Sequence, residues 1–194
     1  RAGKIRVPPP TLAILRALEQ SGPLALEELA AAVATANARE ESAPRIEFAP
    51  GIWMVPQRTE TLPPASHPNT WMPGGRRFAI IDPGSADEAE LDRLARVVER
   101  RRALGHEPAA VVLTHHHRDH IAGAVPVARE LGLPVRAHPQ VLGALGAEGT
   151  APPLMALNDE DELDLDGVRL RALHTPGHAP GHLALQVVDR GLLV

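Results

Sequence analysis

The chain has 194 residues, a formal net charge of −4 and a pI near 6.2, so no basic field advertises nucleic acid. It has no cysteine, which rules out disulfides and thiolate-ligated metal sites, and its two Trp, two Phe and absent Tyr leave few stacking platforms for a reader of single strands. This length suits one domain plus an appendage. No stretch has the uninterrupted apolar length of a membrane span, and the first ten residues lack a signal peptide's apolar core, so the expected location is the cytoplasm.

Residues 1–44 read as a helical appendage or the tail of an upstream domain. Thr11 caps a helix with Leu12, Ile14, Leu15 and Leu18 on one face, and Ser21-Gly22-Pro23 stops it. A second helix spans about residues 26–38, with Leu26, Leu29, Ala30 and Val33 at helical spacing.

A second unit, residues 45–194, then begins. Residues 45–55 alternate as an edge strand, with Ile46 and Phe48, then Ile52 and Met54 after Pro50-Gly51, and a long Pro- and Thr-rich loop follows, with His67 expected in solvent. Residues from Asn69 form a strand, Pro73-Gly74-Gly75 turns it, and Phe78-Ala79-Ile80-Ile81 returns; Trp71 is expected in the core. Ser85-Ala86-Asp87-Glu88 reads as a capping box opening a helix to Leu104, with Leu91, Leu94, Ala95 and Val98 inward. Arg100-Arg101-Arg102 falls in its last turn, where cations complement the helix dipole.

The apolar run Ala109–Leu113 then feeds Thr114-His115-His116-His117-Arg118-Asp119-His120. His115 and His117 are two apart, so in extended geometry they leave the same face. Asp119 and His120 follow where the chain turns toward a helix over residues 121–131. Imidazole plus carboxylate suits zinc, iron or manganese better than calcium or magnesium. The competing reading is a histidine-rich surface loop that holds no metal, but this run is internal, interrupted by Asp119 and placed at a strand end.

Residues 133–137 form another strand, and a short helix follows His138-Pro139, with His138 read as structural. Asn158-Asp159-Glu160-Asp161-Glu162 opens an acidic stretch whose calcium-loop pattern fails, because Leu173 stands where the bidentate Glu would be. Residues 162–173 instead form a hairpin turned by Asp166-Gly167. Its second strand delivers His174-Thr175-Pro176-Gly177-His178-Ala179-Pro180-Gly181-His182, after which residues 183–188 and 192–194 are strands. The strand–helix–strand rhythm argues a parallel or mixed sheet covered by helices, with ligands at the carboxyl ends of its strands.

The block H-x-H-x-D-H after an apolar strand, followed by His174 to His182, resembles the metallo-β-lactamase-fold hydrolases. That resemblance implies an α+β, αββα sandwich, of which this chain holds the N-terminal half. It implies one metal on His115, His117 and His178 and a second on Asp119 and His120, as one or two zinc ions, with iron or manganese as alternatives. His182 would support these from outside, and Asp82, in a strand-ending Asp-x-Gly, would accept a hydrogen bond from the metal loop. It also implies a metal-bound hydroxide attacking an ester, thioester or phosphodiester, with Asp119 accepting a proton when a single ion is present. The substrate would be a small molecule or RNA, with no membrane partner, and a homo-oligomer is compatible with the sequence. The run of motifs looks most like the β-lactamase-like-2 endoribonuclease group, and next like glyoxalase II-type thioesterases. These members normally add a bridging Asp after the strand that starts at Leu192, so the natural protein is expected to continue. Without that Asp, the chain reads as a non-catalytic metal-binding or interaction module.

Overall fold

The computed structural model describes residues 45–59, 67–145 and 152–194; the two helices expected within residues 1–44 lie outside the described residues. Two hairpins open the fold. β1 (Ile46–Ala49) turns at Pro50-Gly51 into β2 (Ile52–Pro56), and β3 (Asn69–Pro73) turns at Gly74-Gly75 into β4 (Arg77–Ile81). Gly51 has φ +77, a conformation that costs a side-chain-bearing residue its usual sterics, and its carbonyl receives the Gly74 amide at 3.1 Å.

From β4 onward the chain winds in parallel. Helix α1 (Glu88–Arg102) connects β4 to β5 (Glu107–Val112), and the short α2 (Arg118–Ile121) and α3 (Ala124–Leu131) connect β5 to β6 (Val135–Ala137). Helix α4 (Pro139–Ala144) precedes β7 (Leu154–Ala156). The strands form one sheet in the order β1-β2-β3-β4-β5-β6-β7, antiparallel up to β4 and parallel after it. β8 (Glu162–Asp164), β9 (Arg169–His174), β10 (Leu183–Val187) and β11 (Leu192–Leu193) make a second, antiparallel sheet.

The strand sequences explain the layering. Phe78, Ile80, Val111 and Leu113 face a core shared with Leu94, Val97, Val98 and Val127 of the helices. Their strand neighbours Ala79, Ile81, Ala110 and Val112 face Leu163, Leu170, Leu183 and Leu185 of the second sheet. Strands covered on both faces read as unbroken apolar runs rather than alternations, as β4 and β5 do. The described residues thus form helix, sheet and sheet layers, the α+β arrangement expected for part of an αββα sandwich. No described helix is long and apolar enough to cross a membrane.

Three local expectations are corrected. The cap of α1 is Asp87, whose Oδ1 accepts from the Ala89 and Glu90 amides at 3.0 and 3.2 Å; Ser85 accepts only the Asp87 amide. Asp and Ser are near-equal caps, and the Pro83-Gly84 turn carries the chain two residues further before the helix can start. Helix α1 also ends at Arg102. The helix expected to begin at 121 is broken at Ala122-Gly123, where a Cβ on Gly123 would lie 2.4 Å from the Ser85 carbonyl oxygen.

The third correction concerns Arg101, which is not a solvated dipole cation but fully buried. Its guanidinium donates to the carbonyls of Met72 (2.6 Å), Gly74 (2.7 Å) and Gly51 (3.3 Å), so one side chain bonds both hairpin turns. Phe78 lies under it at 4.2 Å. Burial pulls this guanidinium down to about 10, Glu47 opposes that pull and Arg45 adds to it; at neutral pH it remains charged.

A candidate metal centre at the strand ends

Three chain segments meet where β4, β5 and β9 end. Strand β4 ends in Asp82, strand β5 runs out into Thr114 and His115, and the β9–β10 turn carries His178 and His182. The turns are locked to each other by backbone. The Leu183 amide donates to the Thr114 carbonyl at 2.8 Å, and the Gly123 amide donates to the Pro83 carbonyl at 2.8 Å. At Gly84 a Cβ would lie 1.9 Å from the Asp119 carbonyl oxygen, so only glycine lets the Asp82–Gly84 turn pack against the histidine loop.

His115, His117 and His178 come together: one ring nitrogen from each lies within 4.8 Å of the others. Ring centroids are 4.7 Å apart for His115–His117, 4.9 Å for His115–His178 and 4.5 Å for His117–His178. Nearly perpendicular rings aim in-plane lone pairs at a common point, which stacked rings do not. His120 lies 4.2 Å from His115, ring to ring, on the other side.

Asp82 organises these rings from behind. Its Oδ1 accepts the Thr114 amide at 2.8 Å, and its Oδ2 accepts the Thr114 hydroxyl at 2.5 Å. The hydroxyl proton being committed to the carboxylate, the Thr114 oxygen accepts from His115 Nδ1, 2.9 Å away. That leaves His115 Nε2 as an acceptor lone pair, 3.1 Å from His117 Nδ1. Asp82 Oδ2 also accepts from His120 Nδ1 at 2.9 Å, which frees His120 Nε2 in the same way. The set Asp82, His115 and His120 also lies within 4.8 Å. Because both Asp82 oxygens already accept hydrogen bonds, Asp82 is better read as a brace than as a ligand.

Electrostatics keep the donors ready. Burial, then the neighbouring imidazoles His120, His117, His182 and His178, push His115 down to about 3, so it stays neutral at any physiological pH. His117 is lowered as well, by desolvation first and His178 next, against a pull upward from Asp119. His120 moves the other way: burial lowers it, but the hydrogen bond and charge of Asp82, with Asp119, outweigh that and raise it.

A cavity of about 340 Å³ opens beside the rings, lined by His115, Asp119, His120 and His182, with Trp71, Ile81 and Val194 as an apolar wall. Asp119 lines this cavity, yet neither tight donor set includes it. His182 lies 5.2 Å from His115, ring to ring, and its Nδ1 is 2.9 Å from the Thr175 hydroxyl, as a supporting residue would be. Trp71, expected in the core, is half-buried and packs against the cluster between the two sheets, edge-on to Phe48 at 5.4 Å. His67 is half-buried and does not line the cavity. Sequence reasoning missed Thr114; a hydroxyl directly before the first histidine, one strand away from an Asp turn, was the available signal.

Replacing Asp82 with Asn tests the brace. Asn tolerates the φ of +49 that Asp82 adopts, so the fold is retained while the charge is lost. Zinc affinity should fall roughly 10- to 100-fold, as for other outer partners of metal-ligating histidine. Competition against a chromophoric chelator reads the loss, and an unchanged affinity would deny Asp82 this role.

The fold and the donor set together define a class: a helix-covered double sheet with a histidine cluster at its strand ends that could hold a metal ion. The family model of the metallo-beta-lactamase superfamily matches residues 65–194, and the chain belongs to that superfamily. It is 31% identical to an uncharacterized protein of Mycobacterium bovis, over 59% of this chain and 57% of the relative. It is 36% identical to a hydroxyacylglutathione hydrolase of Acidiphilium cryptum, over 56% of this chain and 40% of that enzyme. Among solved structures, a metallo-beta-lactamase family protein of Thermus thermophilus shares the fold with a TM-score of 0.60 at 24% identity, covering 76% of this chain and 59% of that one. A beta-lactamase domain protein of Burkholderia ambifaria gives 0.66 at 19%, covering 79% and 55%. The chain therefore spans little more than half the length of these relatives, and less of the hydrolase.

Proposed function

We propose that this chain carries the metal-binding face of a hydrolase that cleaves a thioester of small size. The observation that carries the reading is the convergence of His115, His117 and His178, each offering one ring nitrogen within 4.8 Å of the others. That donor chemistry fits zinc, with iron or manganese as alternatives. A divalent ion held there acidifies a water so that hydroxide is available near neutral pH.

The remaining work falls to the protein. His115, His117 and His178 would hold one ion; His120, oriented by Asp82, with Asp119 would serve a second. Asp119 lines the same cavity as His115 and His120, which supports its assignment, when a single ion is bound, as the group that would take a proton from the attacking water. The wall of Trp71, Ile81 and Val194 suits the acyl portion of a substrate and excludes water from one side of it. The choice of thioester over phosphodiester rests on the hydroxyacylglutathione hydrolases among the curated relatives, at 31% and 36% identity.

S-lactoylglutathione, single-stranded RNA and a chromogenic cephalosporin should be offered in parallel to the metal-loaded protein, then again after chelation and after zinc is restored. Thioester turnover that disappears with the metal and returns with zinc is the expected result. RNA cleavage alone would replace the thioester by a phosphodiester. If the metal-loaded protein leaves all three intact, the non-catalytic module becomes the better reading.

A further inference from the structure

His178 has little of its own to hold it still. Thr175, Pro176, Gly177 and His178 are all exposed, and Gly177 has open space around it at φ +156. A ligand at the tip of such a loop keeps its place only if the base of the loop is fixed. The base is closed three times within itself. The Thr175 amide donates to the His182 carbonyl at 2.9 Å, the Thr175 hydroxyl meets His182 Nδ1 at 2.9 Å, and His174 Nε2 reaches across to the Pro180 carbonyl at 3.0 Å.

The base is also held from outside the loop: the His174 amide donates to Asp159 Oδ1 at 2.7 Å, the Leu183 amide donates to the Thr114 carbonyl, and a ring contact comes from the end of β6. His138, at the end of β6, lies over His174 with ring centroids 4.7 Å apart and planes 6° from parallel, the offset stacking that aromatic pairs favour. Its Nδ1 accepts the Gln140 amide at 3.3 Å, so α4 fixes the ring in one tautomer and one direction. Gly181 makes room: a Cβ there would lie 2.9 Å from His138 Nδ1 and 3.2 Å from Val141 Cγ2. Burial and then the His174 ring hold His138 below the usual imidazole range. Two parallel rings cannot turn their in-plane lone pairs on one ion, which argues against a second metal site at this pair.

We propose that His138 and His174 are positioning residues, a stacked clamp that ties the His178 loop to the parallel sheet and so sets where the His178 imidazole stands relative to His115 and His117. The clamp rests on the metal-centre reading given above, and acts through the loop without touching metal or substrate.

The test uses His138→Ala, His138→Phe and His138→Asn in the whole protein, with His178→Ala alongside. Phe keeps a stacking ring and loses the helix cap; Asn keeps a cap and loses the ring. Zinc affinity by chelator competition is read together with the visible spectrum of the cobalt(II) form and the unfolding midpoint of the metal-free protein. His138→Ala and His138→Asn should each bind zinc about 10-fold more weakly or worse, within the range outer partners show, with an altered cobalt spectrum. His138→Phe should recover most of that affinity. Parent-like affinity in His138→Ala, or no recovery in His138→Phe, overturns the clamp. If those results come while His178→Ala still loses the metal, the clamp alone fails. If the parent protein binds no zinc, the centre and the clamp fail together.

Discussion

His178→Ala should fold as the parent does and lose tight zinc binding, with hydrolysis falling in step. The residue is exposed at a loop tip, so its truncation opens no cavity and strands no buried polar group. Its ring nonetheless lies 4.5 Å from His117 and 4.9 Å from His115, centroid to centroid. Removing it takes one of three donors from the set, and this should exceed the roughly 10- to 100-fold loss that an outer partner causes. Chelator competition measures the affinity and urea denaturation of the metal-free form measures the fold. Zinc affinity within a few-fold of the parent would mean that His178 is a bystander.

The largest effect on stability is expected at Arg101, far from the metal. Arg101→Ala should cost on the order of 3–5 kcal/mol, since it leaves buried carbonyls without donors and opens a cavity beside Phe78 and Trp53. The carbonyls of Met72, Gly74 and Gly51 all belong to the paired β1–β2 and β3–β4 hairpins, so their register suffers first. Lysine should recover only part of this, because one ammonium cannot reproduce the fork that spans two turns. Urea midpoints with an unchanged m-value would report the loss cleanly, and a shift below about 1 kcal/mol would show that water replaces the guanidinium at little cost.

These two sites differ in how far sequence alone could reach them. The histidine cluster was legible because it is written in consecutive residues: H-x-H spacing on an extended segment brings His115 and His117 to one face, and His178 follows a Thr-Pro-Gly turn. The strands were legible too, since β4 and β5 are unbroken apolar runs and Asp166-Gly167, at φ +58 and +81, forms the expected hairpin turn. Arg101 was not legible. It sits between two other arginines in a last helical turn, three residues after Val98 and seven after Leu94, on the buried face, while Arg100 stays exposed and Arg102 half-buried. Ala95, expected inward, is only half-buried, and Val97 is buried instead. Thr114 escaped because its role depends on β4 and β5 being parallel neighbours that end side by side, a tertiary fact. The stacking of His138 on His174 escaped for the same reason: 36 residues separate them, and nothing local links a helix cap to a distant hairpin.

Zinc-edge X-ray absorption on protein loaded with a single equivalent of zinc addresses the centre most directly, because imidazole ligands can be counted by their scattering. The account predicts at least three imidazole nitrogens at about 2.0–2.1 Å, falling to two in His178→Ala. A parent spectrum with fewer than three imidazoles, or one unchanged by that substitution, would contradict the convergence of the two histidine blocks on one ion.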